Sequence, residues 1–200
     1  MKKLSKKSKI KRAKKVPFSK LSKPQKRVAI AKDVIAQIKI GRYVANVGAY
    51  IDSINFKNDL EMGEMKNKDI QKNFGKIENC TVCAMGACLM SATKFANKLN
   101  FRDIGGSTDD LDNKKVKDLF SKLFSPEQLL MIETAFEGEG ESWNDESRVA
   151  YDLFNLNKGY FKGSDMLRAS DSFGNGYEED DEKLIAIMQN IIDNKGTFKP

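Results

Sequence analysis

The hydrophobic and polar positions of this chain recur mainly with the period of an α-helix. The first clear pattern follows Ser22, which can cap a helix, and Pro24, which the first turn of a helix tolerates. It stops at Gly41, a residue that commonly ends helices. We therefore predict an amphipathic helix over residues 23–40. Its inward positions are Val28, Ala31, Val34, Ile35 and Ile38.

Residues 83–99 form a predicted core element of the sequence, and many of them are small. Because few polar positions interrupt this segment, it is predicted to be a central helix covered on most sides. Small residues there would let neighbouring backbones approach closely. Its apolar positions are Cys83, Ala84, Ala87, Cys88, Leu89, Met90, Ala92, Phe95, Ala96 and Leu99.

Weaker patterns predict the remaining elements. Residues 42–51 contain Tyr, Val and Ile in partial alternation, which indicates one or two short strands. The order Ser125, Pro126 and Gln128 is typical of a helix start, with a cap, a first-position proline and a capping-box partner. The other predictions are a loop over 52–64, a weak helix over 65–75, helices over 116–123, 145–156 and 180–195, and a glycine-dotted connection over 157–178.

These patterns predict a mainly α fold (α+β with a minor strand component). Residues 22–200 are expected to form a single compact helical domain. No apolar run approaches the roughly 20 residues of a membrane helix, so no membrane partner is expected. The 200 residues include no histidine, which excludes Ser-His-Asp triads, Cys-His dyads and HExxH zinc sites. No catalytic residue, cofactor or metal is predicted.

Charge is distributed unevenly, because the first 27 residues hold 13 Lys or Arg and no acid. The formal net charge of the whole chain is +7, so residues 28–200 together carry −6. A block of like charge repels itself and resists packing, so residues 1–21 are predicted to be a disordered basic arm. The arm residues expected to contact nucleic acid are Lys6, Lys7, Lys9, Lys11, Arg12, Lys14 and Lys15.

Such an arm would bind DNA or RNA through phosphates by counterion release, with little sequence specificity. A solubilising tail and a targeting segment are the alternatives, since residues 9–15 resemble a nuclear import signal. A secretory signal is not expected, because lysines interrupt every apolar stretch of the arm. An anionic partner would also relieve the unfavourable position of Lys23, Lys26 and Arg27 in the first turn of the predicted helix.

Three cysteines, Cys80, Cys83 and Cys88, lie within nine residues. Their odd number argues against a disulfide framework, so the expected compartment is the reducing cytoplasm. Cys80 and Cys83 have CxxC spacing at a predicted helix start, where a lowered pKa would support thiol chemistry. The alternatives are a structural role in the core and a metal site, which would lack a fourth ligand.

Two acidic segments offer further hypotheses. Residues 171–182 match an EF-hand calcium loop in part, although Phe173 stands where a ligand is needed. A turn followed by a helix start is the alternative. Residues 178–182 and 137–146 could also hold the basic arm when no polyanion is present. The matching calcium positions are Asp171, Asn175, Gly176 and Glu182.

Three motifs resemble a family of small phage and bacterial proteins for which no activity is known. They are Val82–Ala87, Phe124–Leu129 and the ending Asn190–Pro200. The resemblance covers much of residues 27–200 and implies relatedness without implying an activity. A phage setting would favour a virion component or a host-directed factor, in the host cytoplasm or the virion.

The sequence therefore predicts a non-enzymatic binding protein whose arm contacts nucleic acid. The alternative is a protein-interaction module that acts through the acidic helical body. A thiol-dependent enzyme that uses Cys80 or Cys83 is a third hypothesis.

Overall fold

The computed structural model describes residues 16–48, 50–60, 69–96, 99–104, 114–137, 163–173 and 176–200. Over these ranges the chain is mainly α-helical with one small sheet, which confirms the predicted fold class. The helices are α1 (Lys23–Lys39), α2 (Ile70–Asn73), α3 (Ala84–Ala96), α4 (Lys114–Ser121), α5 (Pro126–Glu137), α6 (Gly163–Phe173) and α7 (Asp180–Asp193). None of the helices in these ranges has the length and apolar character needed to cross a membrane. The helix predicted over 145–156 lies outside the described residues.

The sheet contains β1 (Tyr43–Ala45), β2 (Ile51–Phe56) and β3 (Ile77–Val82), in the order β1–β3–β2. β1 runs parallel to the central strand β3, and β2 runs antiparallel to it. The prediction of one or two short strands within residues 42–51 is confirmed by β1, whereas β2 shares only Ile51 with that range. The prediction of a loop over 52–64 is wrong for β2, and β3 was not predicted as a strand.

Polar pairs across the strands explain why β2 resembles a loop in the sequence. The Ser53 hydroxyl donates to Thr81 Oγ1 at 3.2 Å, and the Asn55 amide donates to Asn79 Oδ1 at 2.7 Å. Such cross-strand pairs stabilise a sheet, although Ser and Asn alone favour turns. The polarity of both segments therefore arises from their mutual pairing, which local sequence does not reveal.

Helix α3 is the central element, as predicted. Every residue from Ala84 to Thr93 is buried, so the helix is covered on all sides. Its closest neighbour is the backbone before β2: the Cys83 N–H donates to the Tyr50 carbonyl at 3.3 Å. A Cβ atom built on Gly86 would overlap that same carbonyl oxygen. The expectation that small residues admit a close backbone is therefore confirmed at Gly86.

The remaining helices pack around α3 and against each other. α1 lies against α3 and α7, and α5 lies against α3 and α6. The last helix, predicted to start near residue 180, is confirmed as α7, and α4 and α5 also match their predictions. Helix α6 falls in the predicted glycine-dotted connection; Gly163 stands at its first position, so it does not weaken the helix interior.

Replacing Gly86 with Ala is expected to destabilise the protein by about 3 kcal/mol, because the added methyl group overlaps a backbone carbonyl that cannot easily move. Gly75→Ala is the matched control, since no atom lies within 4 Å of a Cβ at that position. Its effect should stay within about 0.5 kcal/mol. Urea unfolding followed by circular dichroism measures both changes, and equal stability of the two variants would contradict the packing described.

Candidate nucleic-acid interface

The seven predicted nucleic-acid contacts, Lys6, Lys7, Lys9, Lys11, Arg12, Lys14 and Lys15, lie outside the described residues. The described chain begins at Val16, which is 56% exposed. The described residues nearest in sequence to the predicted contacts are therefore those from Val16 to the first turn of helix α1, a segment we call the junction.

The junction is anchored by an aromatic contact. Phe18–Lys20 form a 3-10 turn, and the Phe18 ring stacks on Phe95 of α3 with centroids 4.8 Å apart. Lys26 Nζ lies 5.9 Å from the Phe18 centroid, within range of a cation–π interaction. The prediction that all of residues 1–21 lack structure is therefore wrong for this turn. One buried ring face offsets the repulsion among neighbouring lysines.

Helix α1 begins as the sequence predicts. Ser22 Oγ accepts from the Gln25 N–H at 3.4 Å, and Gln25 Oε1 accepts from the Ser22 N–H at 3.0 Å. This reciprocal pair is a capping box, with Pro24 in the first turn. The first turn contains no acidic residue. The positive end of the helix dipole therefore adds to the charge of the basic segment.

Arg27 is not free to meet a partner, contrary to the expectation for the first turn of α1. Its Nε donates to the Gly196 carbonyl, and its Nη1 donates to the Leu123 carbonyl at 2.7 Å. Partial burial lowers the pKa of the guanidinium from its ordinary value, which still leaves it charged at neutral pH. Arg27 thus links α1 to the turn before α5 and to the C-terminal segment, and its guanidinium binds the protein's own carbonyl groups.

The C-terminal segment is held beside α1 by two side-chain amides. Gln128 accepts from the Phe198 N–H at 2.5 Å and donates to the Phe198 carbonyl at 3.1 Å. Asn190 makes the same pair of bonds with Lys199, at 2.9 and 2.7 Å. Gly196, at φ +95°, packs so tightly on the Pro24 carbonyl that a side chain would overlap it. The predicted capping-box role of Gln128 is therefore replaced by a long-range contact, while Ser125 Oγ still accepts from the Gln128 N–H.

Carboxylates at the start of α7 bind the chain's own backbone. Asp181 accepts from the Ala45 N–H at 2.7 Å, and Asp180 accepts from the Val47 N–H at 3.2 Å. Glu137 accepts from the Gly48 N–H at 2.8 Å. These bonds cover N–H groups along and beyond the outer edge of β1. These bonds give the three carboxylates a structural role; the hypothesis that the acidic segments hold the arm stays a prediction, since residues 1–15 and 138–146 lie outside the described residues.

The calcium hypothesis gains no support from the described residues. Asp171 belongs to helix α6 and Glu182 to the first turn of α7. Phe173 is buried, and Asn175 lies outside the described ranges. Within those ranges no group of three His, Cys, Asp or Glu side chains is placed to hold a metal ion. The alternative interpretation, a connection followed by an acidic helix start, agrees with α7, whose first turn holds three acids.

The thiols are buried, and their environment opposes the chemistry proposed for them. Cys80 lies on the central strand β3 rather than at a helix start, and Cys83 lies immediately before α3. Burial raises the pKa of Cys80 and of Cys88 to about 12. Burial also raises the pKa of Cys83, with a further contribution from Glu137 and Glu133. A reactive thiolate needs the opposite shift, so the structural role is the one the environment supports.

Comparisons with known proteins add no relative: no family model matches the chain, and neither the curated proteins nor the solved structures gave a match. The resemblance to small phage and bacterial proteins stays a prediction. The motifs that carry it have structural roles here. Gly86 leaves the space that the Tyr50 carbonyl occupies, and Gln128 hydrogen-bonds the backbone of Phe198.

Thiol reagents should distinguish buried from reactive cysteines. We expect all three thiols to react with an aromatic disulfide reagent far more slowly than free cysteine at neutral pH, because burial keeps them protonated and inaccessible. In urea all three should react at once. A single thiol that reacts in the native protein as fast as free cysteine would contradict the burial described.

Replacing Arg27 with Gln should lower the free energy of unfolding by about 1–3 kcal/mol, because two carbonyl groups lose a charged donor. Lys39→Gln is the control: Lys39 is exposed at the other end of the same helix. Its effect should stay within about 0.5 kcal/mol. Urea unfolding measures both, and an unchanged midpoint for the Arg27 variant would show that the guanidinium does not join these segments.

Proposed function

We propose that the protein binds nucleic acid through its basic N-terminal arm, without reading the base sequence. The observation that supports this proposal is the separation of charge: 13 basic residues and no acid in residues 1–27, against a net −6 for the rest. A segment so charged attracts phosphate backbones at long range. Lys and Arg then release the counterions condensed on the nucleic acid, which supplies most of the affinity.

The junction with the body supports the same proposal. Residues 1–15 leave the body at exposed Val16, and the next aromatic residue, Phe18, is stacked against the body. The arm contains no tryptophan or tyrosine, so base stacking is not expected to contribute strongly. Contacts would then be made to phosphates, which position a protein on nucleic acid but carry no sequence information.

The seven predicted arm residues should be replaced together with Gln in the full-length chain. We expect weaker binding to DNA duplexes and a shallower dependence of log K on log salt. Each lost phosphate contact changes the slope by about 0.9, so the full set accounts for a change of up to about 6. Fluorescence anisotropy over a salt series measures both quantities. The replaced residues are Lys6, Lys7, Lys9, Lys11, Arg12, Lys14 and Lys15.

A matched variant with the six lysines of that set changed to Arg keeps the charge and should keep the affinity and the slope. Duplexes of unrelated sequence should bind equally well. Equal binding by the Gln variant and the natural chain would overturn the proposal. It would show that these seven residues do not carry the binding, and the protein-interaction alternative would then be favoured.

A further inference from the structure

Three segments far apart in the sequence meet beside the first turn of α1. The Arg27 guanidinium donates to Leu123 and to Gly196, and Gly196 also packs on the Pro24 carbonyl. The turn between α4 and α5 and the C-terminal segment therefore lie next to the junction of the arm. The two hydrogen bonds of Arg27 that create this arrangement join residues 96 and 169 positions apart in the sequence.

Each of these segments places an exposed lysine next to a contact residue. Lys23 precedes Pro24, Lys122 precedes Leu123 and Lys195 precedes Gly196, and all three lysines are exposed. Lys20, at the end of the 3-10 turn, is exposed as well. We call these four lysines the root patch. Its members are Lys20, Lys23, Lys122 and Lys195.

The charge of the root patch is not neutralised by ion pairs within the described residues. Ion pairs in those ranges include those of Lys72, Lys94 and Lys115, and none involves a root-patch lysine. The acids closest along the chain are Asp118, Glu127 and Asp193, and the Asp193 carboxylate accepts from Gln189. The first turn of α1 adds no acid. Three of these exposed lysines are therefore neighbours in sequence of backbone groups that meet beside α1, on a body whose net charge is negative.

We infer that the root patch is a second nucleic-acid contact, which continues the phosphate-binding surface of the arm onto the folded body. This inference rests on the proposed function and specifies where the body meets the nucleic acid. Like charges held together without partners destabilise the free protein, and a phosphate backbone lying across the patch removes that repulsion. The patch lies where the arm meets the folded body, so one stretch of nucleic-acid backbone contacts both the arm and the patch.

The test compares two triple variants of the full-length chain. The patch variant carries Lys23→Gln, Lys122→Gln and Lys195→Gln. The control variant carries Lys39→Gln, Lys57→Gln and Lys76→Gln, which removes the same charge from exposed positions that make none of the described ion pairs. Lys39 lies at the far end of the 17-residue helix α1, about 25 Å from its start.

Binding to a DNA duplex is measured by anisotropy over a salt series, and stability by urea unfolding. The patch variant is expected to bind roughly 10- to 100-fold more weakly in low salt, with a salt slope reduced by about 2–3. The control variant should keep a slope within about 1 of the natural chain. The urea midpoint of the patch variant should be no lower than that of the control variant, since both variants remove lysines near helix C-termini.

The outcomes separate this inference from the proposed function. If neutralising the arm lowers the slope but the patch and control variants bind alike, the root patch is not a contact and only this inference fails. If neutralising the arm leaves binding unchanged, the proposed function fails. A urea midpoint of the patch variant well below that of the control variant would show that the lysines stabilise the fold, and would also overturn the inference.

Discussion

The guanidinium of Arg27 is the interaction on which the arrangement of the basic region depends. It binds carbonyl groups of Leu123 and Gly196, so α1, the α4–α5 turn and the C-terminal segment share one donor. Charged donors make stronger hydrogen bonds than neutral ones, and partial burial removes competing water. One basic residue of the first 27 is thereby used for folding, while Lys20 and Lys23 nearby in the sequence are exposed.

The C-terminal segment is held against the body by side-chain amides rather than by strand pairing. Gln128 and Asn190 each present a donor and an acceptor to one residue of the segment, as a neighbouring strand would. The Phe198 ring between them is 1% exposed. Paired amide bonds and one buried ring hold a stretch that has no regular secondary structure. The same bonds fix the position of Lys195 beside α1.

Periodicity predicted the helices well and the sheet poorly, for physical reasons. Helices α1, α3, α5 and α7 each place apolar residues on an inward face, and that pattern is local. Strand β3 contains Glu78, Asn79 and Thr81, and its pairing depends on partners 21 to 37 residues earlier, among them Asn55. Helix α6 was missed because the surrounding glycines suggested a connection.

The candidate interface could be predicted only in part, for a related reason. Composition identifies the arm, because charge is a property of the segment itself. The roles of Arg27 and Gln128 depend on carbonyl and N–H groups 70 or more residues away, which no local pattern reveals. Local composition also suggests a lowered pKa for a CxxC pair, whereas burial of Cys80 in the central strand of the sheet raises its pKa.

Charge separation also determines how the molecule would face a polyanion. Residues 28–200 carry −6, so most of the body is repelled by phosphate. The proposed root patch would present positive charge that has no ion pair among the described residues, at the start of a helix without acids in its first turn. Attraction at the basic segment and repulsion elsewhere would orient the molecule with that segment toward a polyanion. A net charge of +7, spread evenly, would attract a polyanion without orienting the molecule, whereas the observed separation would do both.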